Sequence, residues 1–171
     1  MIRLLRAFLK SQRGVAVVEF AIILPMMAML FLGTFEASRA VRAKMKASNA
    51  AQTIADLIAA QNSVSSADLV NYCNGAKAVM APFSGTTLKA AIASVTNGVV
   101  DWHDESCGGA SAIASPTSIA TSLNNGAGNS VIIVQTTYTY SSLLVYVLPA
   151  SITMTQTAFG RPRNIDTIPK T

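Results

Sequence analysis

Charged residues are scarce in this chain. Lys, Arg, Asp and Glu together make up 12% of its 171 residues, whereas hydrophobic residues make up 51%. A typical soluble domain is about one quarter charged. The deficit argues against an ordinary soluble domain. It indicates either a membrane segment or an exported protein that packs into a larger assembly.

Acidic residues are absent from the first 14 residues, which contain four basic ones: Arg3, Arg6, Lys10 and Arg13. From Val15 onward nine basic residues face eight acidic ones, so the net charge of +5 comes almost entirely from this short leader. No basic stripe with interleaved aromatic side chains follows it, although a nucleic-acid-binding face needs one. The charge distribution therefore predicts no nucleic-acid partner.

Histidine occurs once, as His103, within the polar run 101–105. A dedicated zinc site usually needs repeated His or Cys ligands at fixed spacing, and the sequence has no such pair. Phosphate-binding glycine loops, nucleophile elbows and paired carboxylates are absent as well. We therefore predict no metal, no cofactor, no small-molecule substrate and no enzymatic activity. The run around His103 is interpreted as a solvated strand end.

Cysteine occurs only twice, as Cys73 and Cys107. The pair is consistent with one disulfide in an oxidising compartment, and two buried thiols remain the alternative. A bond would close a loop of about 35 residues, for which the loop-entropy model gives about 4 kcal/mol of stabilisation.

A long apolar run occupies residues 15–35, and Glu19 is its one charged residue. As a helix it would be about 31 Å long, enough to cross the hydrocarbon core of a bilayer. Pro25 is compatible with this, because membrane helices tolerate proline. A charge at the bilayer centre costs about 2.5–3.5 kcal/mol on insertion scales, so a carboxylate inside such a run indicates a function.

The helical pattern continues beyond the apolar run, since 36–61 contains neither Gly nor Pro. Polar residues recur there at steps of three and four: Arg39, Arg42, Lys46, Asn49, Thr53 and Asp56. The predicted apolar face opposite them is made mostly of small residues: Ala37, Val41, Ala47, Ala51, Ile54, Ala55 and Ile58. We expect one helix from about 15 to 61, about 70 Å long, whose N-terminal half rests in lipid or against other copies.

The remainder, 62–171, predicts a small α+β domain. Its expected elements are a helix from Ser65 or Ser66 to about Met80, strands at 87–96 and 99–104 around an Asn97-Gly98 turn, a short helix from Ser115-Pro116 to Leu123, and strands at 131–140 and 152–159. The apolar segment 143–148 is too short to span a membrane, so we interpret it as a connection that packs down or meets a partner. The fold class is therefore α+β: a long N-terminal transmembrane helix that extends into the periplasm and packs on a small antiparallel sheet.

The N-terminal motif has a recognisable order. It reads Arg13-Gly14, Glu19-Phe20-Ala21, Leu24-Pro25 and then Gly33 to Arg39. This order resembles the type IV prepilin processing motif and, more specifically, the TadE-like proteins of tight-adherence (Flp) pilus systems. Further segments similar to that family lie near the end of the chain: 131–134, 138–140, 148–149 and 161–163.

The resemblance implies a minor pilin or pseudopilin with a structural role in pilus assembly. A prepilin peptidase of the inner membrane would cut between Gly14 and Val15, and the assembly platform would act on the mature subunit. The other partners implied are inner-membrane lipid and further pilin or pseudopilin subunits. Glu19 and Phe20 would act in registration and assembly, with the Glu19 carboxylate neutralising the Val15 ammonium of a neighbouring subunit.

The predicted organisation is a leader at 1–14, a span at 15–35, a periplasmic helical extension at 36–61 and a periplasmic domain at 62–171. Four basic residues flank each side of the span, so the charge rule does not orient it. The cytoplasmic N-terminus is inferred from the processing motif and from the cysteines.

Two other classes of protein remain open. The chain could be an unprocessed, membrane-anchored periplasmic binding module, or a secreted domain released near Ala40. The mature N-terminus separates the three readings, because it would be Val15 for the pilin, Met1 for the anchored module and a residue near Val41 for the secreted domain.

Overall fold

The computed structural model describes residues 14–123, 130–146 and 148–171, so the basic residues predicted as a leader lie outside the described part of the chain. Helix α1 is one uninterrupted helix, Val15–Ala59, with Pro25 inside it. The prediction of one long helix is confirmed, and the helix ends two residues before the expected end.

The rest of the chain forms the predicted α+β arrangement. After α1 come α2 (Ser66–Val79), β1 (Lys89–Thr96), β2 (Val99–Cys107), α3 (Pro116–Leu123), β3 (Ser130–Ser141) and β4 (Ser151–Gly160). The strands form one antiparallel sheet in the order β2-β1-β3-β4. The predicted α+β class, with a long N-terminal helix packed on a small antiparallel sheet, is confirmed.

The β1–β2 hairpin turns at Asn97 and Gly98, whose φ angles are 53° and 77°. Two consecutive positive φ angles suit a tight hairpin turn, and Asn-Gly adopts them at low cost. Strand β2 continues three residues beyond its predicted end at Asp104, because Cys107 still pairs with Ala90 across a shift in register. The polar residues at its end gave no sign of this extension.

Helix α1 packs on the sheet through the part that follows the apolar run. Its buried positions there are mostly alanines: Ala40, Ala43, Ala47, Ala50, Ala51, Ile54, Ala55, Ile58 and Ala59. Such small side chains let a helix lie close to strands. One contact shows how close they lie, since the Thr136 hydroxyl of β3 donates a buried hydrogen bond of 3.1 Å to the Ala47 carbonyl.

The predicted apolar face of α1 is wrong at its N-terminal end. Ala37 and Val41 are exposed, and Glu36, Ala40 and Ala43 are buried in their place. Alanine lies on several sides of this helix, so the hydrophobic contrast between faces is weak. The face that packs is set by contacts with the sheet.

Helix α2 begins with a capping box at Ser65 and Asp68. The Ser65 hydroxyl accepts from the Asp68 amide at 3.2 Å, and the Asp68 carboxylate accepts from the Ser65 amide at 2.9 Å. These hydrogen bonds lower the pKa of Asp68. A disulfide between Cys73 and Cys107, with an Sγ–Sγ distance of 2.04 Å, ties α2 to the end of β2.

Gly160, the last residue of β4, lies close against the backbone of α1. A Cβ at this position would lie 2.8 Å from the Ala55 carbonyl oxygen, inside the contact distance of real Cβ atoms. Since that oxygen belongs to a helix backbone, it has little freedom to move. We expect Gly160→Ala to destabilise the fold by about 1–3 kcal/mol through overpacking.

The control for this variant is Gly75→Ala in α2, where an added Cβ meets nothing within 4 Å. That change should instead stabilise the protein by about 0.5–1 kcal/mol, because alanine is the better helix former. Both values come from denaturant unfolding of the full chain in micelles. Equal midpoints for wild type and Gly160→Ala would contradict the packing described.

Candidate functional site

The first half of α1 has no cover from the other residues that the structure describes. Its most apolar 18-residue window has a mean hydropathy of 2.5 and is 0% buried. A core helix of a soluble protein hides such a surface, whereas a membrane helix leaves it for lipid. By length and composition α1 can therefore cross a membrane, and its apolar part serves as a candidate membrane anchor.

The predicted processing residues lie at the start of this exposed segment. Gly14 is the N-cap residue of α1, without a side-chain capping bond, and a Cβ there would meet nothing within 4 Å. Val15 is the first helical residue. The peptide bond between them therefore lies at an open helix start, and its cleavage stays a prediction.

The predicted registration residues lie one turn further along. Glu19 and Phe20 are both exposed. Within residues 14–123, 130–146 and 148–171, Glu19 has no hydrogen-bond or ion-pair partner. The structure thus places the two residues together on the uncovered segment, and their roles stay predictions.

A second charged residue, Glu36, follows the apolar run directly and is fully buried. Its Oε1 accepts a hydrogen bond of 2.8 Å from the Tyr140 hydroxyl and one of 2.9 Å from the Leu143 amide. Its Oε2 lies 3.7 Å from a guanidinium nitrogen of Arg39, one turn along the helix. We call these four residues the Glu36 junction.

The Glu36 junction joins the end of the apolar run to the end of β3. Removing a carboxylate from water is costly unless hydrogen bonds and an opposite charge replace the water. The hydroxyl and the amide supply hydrogen bonds to Oε1, and the guanidinium supplies the opposite charge beside Oε2, which accepts no hydrogen bond among the described residues. An edge-to-face contact with Phe83, at a centroid distance of 6.2 Å, also holds the Tyr140 ring. The junction therefore fixes where the uncovered helix leaves the folded domain.

Sequence reasoning assigned no role to Glu36. Glu36 lies within the segment Gly33–Arg39, which is part of the motif that carries the family resemblance. A charged residue at the end of an apolar run usually marks the membrane–water interface and is therefore expected to be exposed. The available signal was its place at the end of the apolar run, directly after Phe35.

The run around His103 is only partly the solvated strand end that the sequence predicts. His103 is exposed and pairs with Glu105 at 3.0 Å, but Asp104 is buried. Asp104 forms an ion pair of 2.7 Å with Lys170 near the C-terminus. The prediction is therefore wrong for Asp104, because the C-terminal tail folds back and covers it.

Asp104 remains a carboxylate in this partly buried place. Burial raises its pKa, but hydrogen bonds from Lys170 and Ser106 outweigh that effect and lower the pKa below the ordinary value. The neighbouring Trp102 indole also binds the tail, donating a hydrogen bond of 2.7 Å to the Ile168 carbonyl. No group of three or more His, Cys, Asp or Glu side chains suited to a metal occurs among the described residues. The contacts of this run hold the tail in place.

Residues 14–56 match the family model of TadE-like proteins. The match begins at Gly14, covers the exposed apolar segment and Glu36, and ends three residues before the end of α1. No curated protein and no solved structure matches the chain. The TadE-like resemblance inferred from the N-terminal motif is thereby confirmed, and it links the chain to Tad pilus systems. The four strands lie outside the matched segment.

We expect Glu36→Ala to loosen the junction, because it leaves the buried Tyr140 hydroxyl and the partly buried Leu143 amide without their acceptor. An unsatisfied buried donor costs about 1–3 kcal/mol, so the free energy of unfolding should fall by at least about that amount. The local readout is hydrogen exchange of the Leu143 amide in the full chain, which should become faster.

Two variants serve as controls for this measurement. Glu36→Gln keeps a carbonyl oxygen that can accept from Tyr140 and Leu143, so it should preserve most of the Leu143 protection. Asp56→Ala removes an exposed acid from the same helix and should leave that amide unchanged. Unaltered Leu143 exchange in Glu36→Ala would refute the structural role of the junction.

Proposed function

We propose that the chain is a minor pilin or pseudopilin, a structural subunit in the assembly of a tight-adherence (Flp) pilus. One observation carries the proposal: the TadE-like match coincides with an apolar helix that the folded domain leaves uncovered. Lipid and the helices of other subunits satisfy such a surface equally well, since both are apolar. The helix can therefore pass from the membrane into a subunit bundle.

In this proposal a prepilin peptidase cuts between Gly14 and Val15. A glycine at the cut leaves the peptide bond unhindered, and the open surroundings of Gly14 support access to it. Cleavage removes the four basic residues of the leader and leaves Val15 as the N-terminus. The helix lies in the bacterial inner membrane with its N-terminus in the cytoplasm, and the disulfide-bearing domain lies in the periplasm, where disulfides persist.

Registration of subunits is assigned to Glu19 and Phe20. An unpaired carboxylate in lipid is costly, and a paired one is tolerated. The ammonium created at Val15 of a neighbouring subunit offers the missing counter-charge. Pairing would favour one axial offset between neighbours, while Phe20 packs within the same bundle. The assembly platform and the other pilin subunits are the partners of this step.

Mass spectrometry of the mature subunit tests the cleavage. We expect an N-terminus at Val15 in cells that contain the pilus system. Gly14→Trp should block cleavage and piliation, because a bulky side chain at the cut hinders the peptidase. Ile22→Trp, which adds the same side chain at an exposed position of the span, is the control and should be cleaved normally.

The same spectrum distinguishes the other readings. An intact Met1 would indicate an unprocessed anchored module, and an N-terminus near Val41 would indicate a secreted domain. Either result would overturn the proposal, as would normal processing and piliation of Gly14→Trp.

For Glu19 we expect a separation of processing from assembly. Glu19→Ala should insert and be cleaved as in wild type, but the subunit should stay with the membrane instead of entering sheared pili. Glu19→Asp, which keeps the charge, is the control and should recover part of the assembly. The proportion of subunit in the sheared and membrane fractions gives the result. Normal assembly of Glu19→Ala would contradict the registration role.

A further inference from the structure

The connection between β3 and β4 exposes three apolar side chains to solvent. Leu143, Val145 and Tyr146 are 68%, 57% and 98% exposed. We call these three the tip residues. The connection, 142–150, contains no charged residue. An uncharged loop with a fully exposed tyrosine and two exposed aliphatic side chains indicates a contact with something apolar.

The tip residues lie where α1 changes from apolar run to folded domain. The Leu143 amide binds Glu36, and Glu36 immediately follows Phe35, the last residue of the apolar run. One tip residue, Leu143, is therefore hydrogen-bonded to the first residue after the proposed span.

The direction of β3 carries the tip toward the membrane side of this point. Thr136 contacts Ala47 of α1, and Tyr140 contacts Glu36. From the first contact to the second, the contacted position on α1 shifts from Ala47 to Glu36, which is about 16 Å along the helix axis toward the apolar run at a rise of about 1.5 Å per residue. The chain beyond Ser141 continues from there and the Leu143 amide also reaches Glu36, so the tip begins at the level where the apolar run ends.

The connection is held in shape by its own contacts. The Ser142 amide donates to the Ala150 carbonyl at 3.0 Å, and the Leu148 amide donates to the Leu144 carbonyl at 3.1 Å. Leu148 is partly buried and packs against the core. The tip residues are therefore exposed although hydrogen bonds and core packing hold the rest of the connection.

We propose that the tip residues Leu143, Val145 and Tyr146 enter the headgroup region of the bilayer that α1 crosses, forming a second lipid contact beside the span. The tip lies beside the end of the uncovered apolar surface of α1, and this position identifies lipid as the occupant. Tyrosine is enriched at membrane–water interfaces, where its ring is in apolar surroundings and its hydroxyl is wet.

A tip contact in addition to the span would fix the orientation of the domain on the bilayer. A single helix leaves the domain free to rotate about the helix axis, and a second contact removes that freedom. The sheet would then present a defined side to neighbouring subunits. The inference depends on α1 crossing a membrane, but it does not depend on cleavage at Gly14 or on pilus assembly.

Tryptophan fluorescence in vesicles tests this contact in the full chain. Tyr146→Trp places a reporter at the tip, and the signal of the one native tryptophan, Trp102, is subtracted with the wild-type protein. The vesicles are phosphatidylcholine with or without bromine on the acyl chains, because bromine quenches tryptophan on contact. We expect a blue-shifted emission and about twofold quenching in the brominated vesicles, as for an interfacial aromatic residue.

The matched control is Val99→Trp, at another exposed position, 66% exposed, in the β1–β2 hairpin at the other end of the sheet. Its emission should be unquenched, and adding Val145→Asp to Tyr146→Trp should reduce the quenching. An unquenched Tyr146→Trp overturns the proposal, and so does equal quenching at both positions. A blue shift without quenching would assign the tip to a protein neighbour, which also overturns the lipid contact. A retained Met1 in the processing experiment would leave the quenching unchanged, so the two proposals can fail separately.

Discussion

The buried carboxylate of Glu36 is the constraint on which the arrangement of this protein depends. It lies between a helix segment that the fold leaves uncovered and a segment that the sheet buries. The hydroxyl of Tyr140 and the amide of Leu143 reach it from the end of β3. A charge in this place is stable only while all its partners are present. The helix and the sheet are therefore joined at one level, and the uncovered segment begins at a defined point.

Helix α1 meets two different environments with one continuous backbone. Up to Phe35 most of its exposed side chains are large and apolar, which suits lipid or other helices. After Glu36 its packing face is mostly alanine, which lets the sheet come close enough for Thr136 to bind the Ala47 carbonyl and for Gly160 to contact the Ala55 backbone. The change of side-chain size at the Glu36 junction thus divides the helix into an anchoring half and a packing half. In the proposed function, the first half moves between lipid and subunits while the second half carries the domain.

Much of the fold could be predicted from local patterns. The length of α1 followed from the absence of Gly and Pro in 36–61, the hairpin from Asn97-Gly98, and the start of α2 from the serines before Asp68. Local patterns did not predict burial that depends on residues distant in the sequence. Tyr140 is 104 residues from Glu36, and Lys170 is 66 residues from Asp104, so neither burial could be inferred from the neighbouring sequence. The predicted packing face of α1 is wrong near Val41, because alanines on several sides of the helix leave little hydrophobic contrast between its faces.

By itself, the sequence determined that the chain has an apolar segment with one carboxylate, a helical continuation, two cysteines and a TadE-like N-terminal motif. These are properties of composition and short spacing, and they located Gly14, Val15, Glu19 and Phe20 without coordinates. Only the tertiary structure decided that Glu36 is buried, that the disulfide ties α2 to the end of β2, and that the β3–β4 connection lies beside the end of the apolar segment. The physical reason is that burial of a charge and the position of a loop depend on which distant strands pair, and a strand's register is set by all its neighbours together.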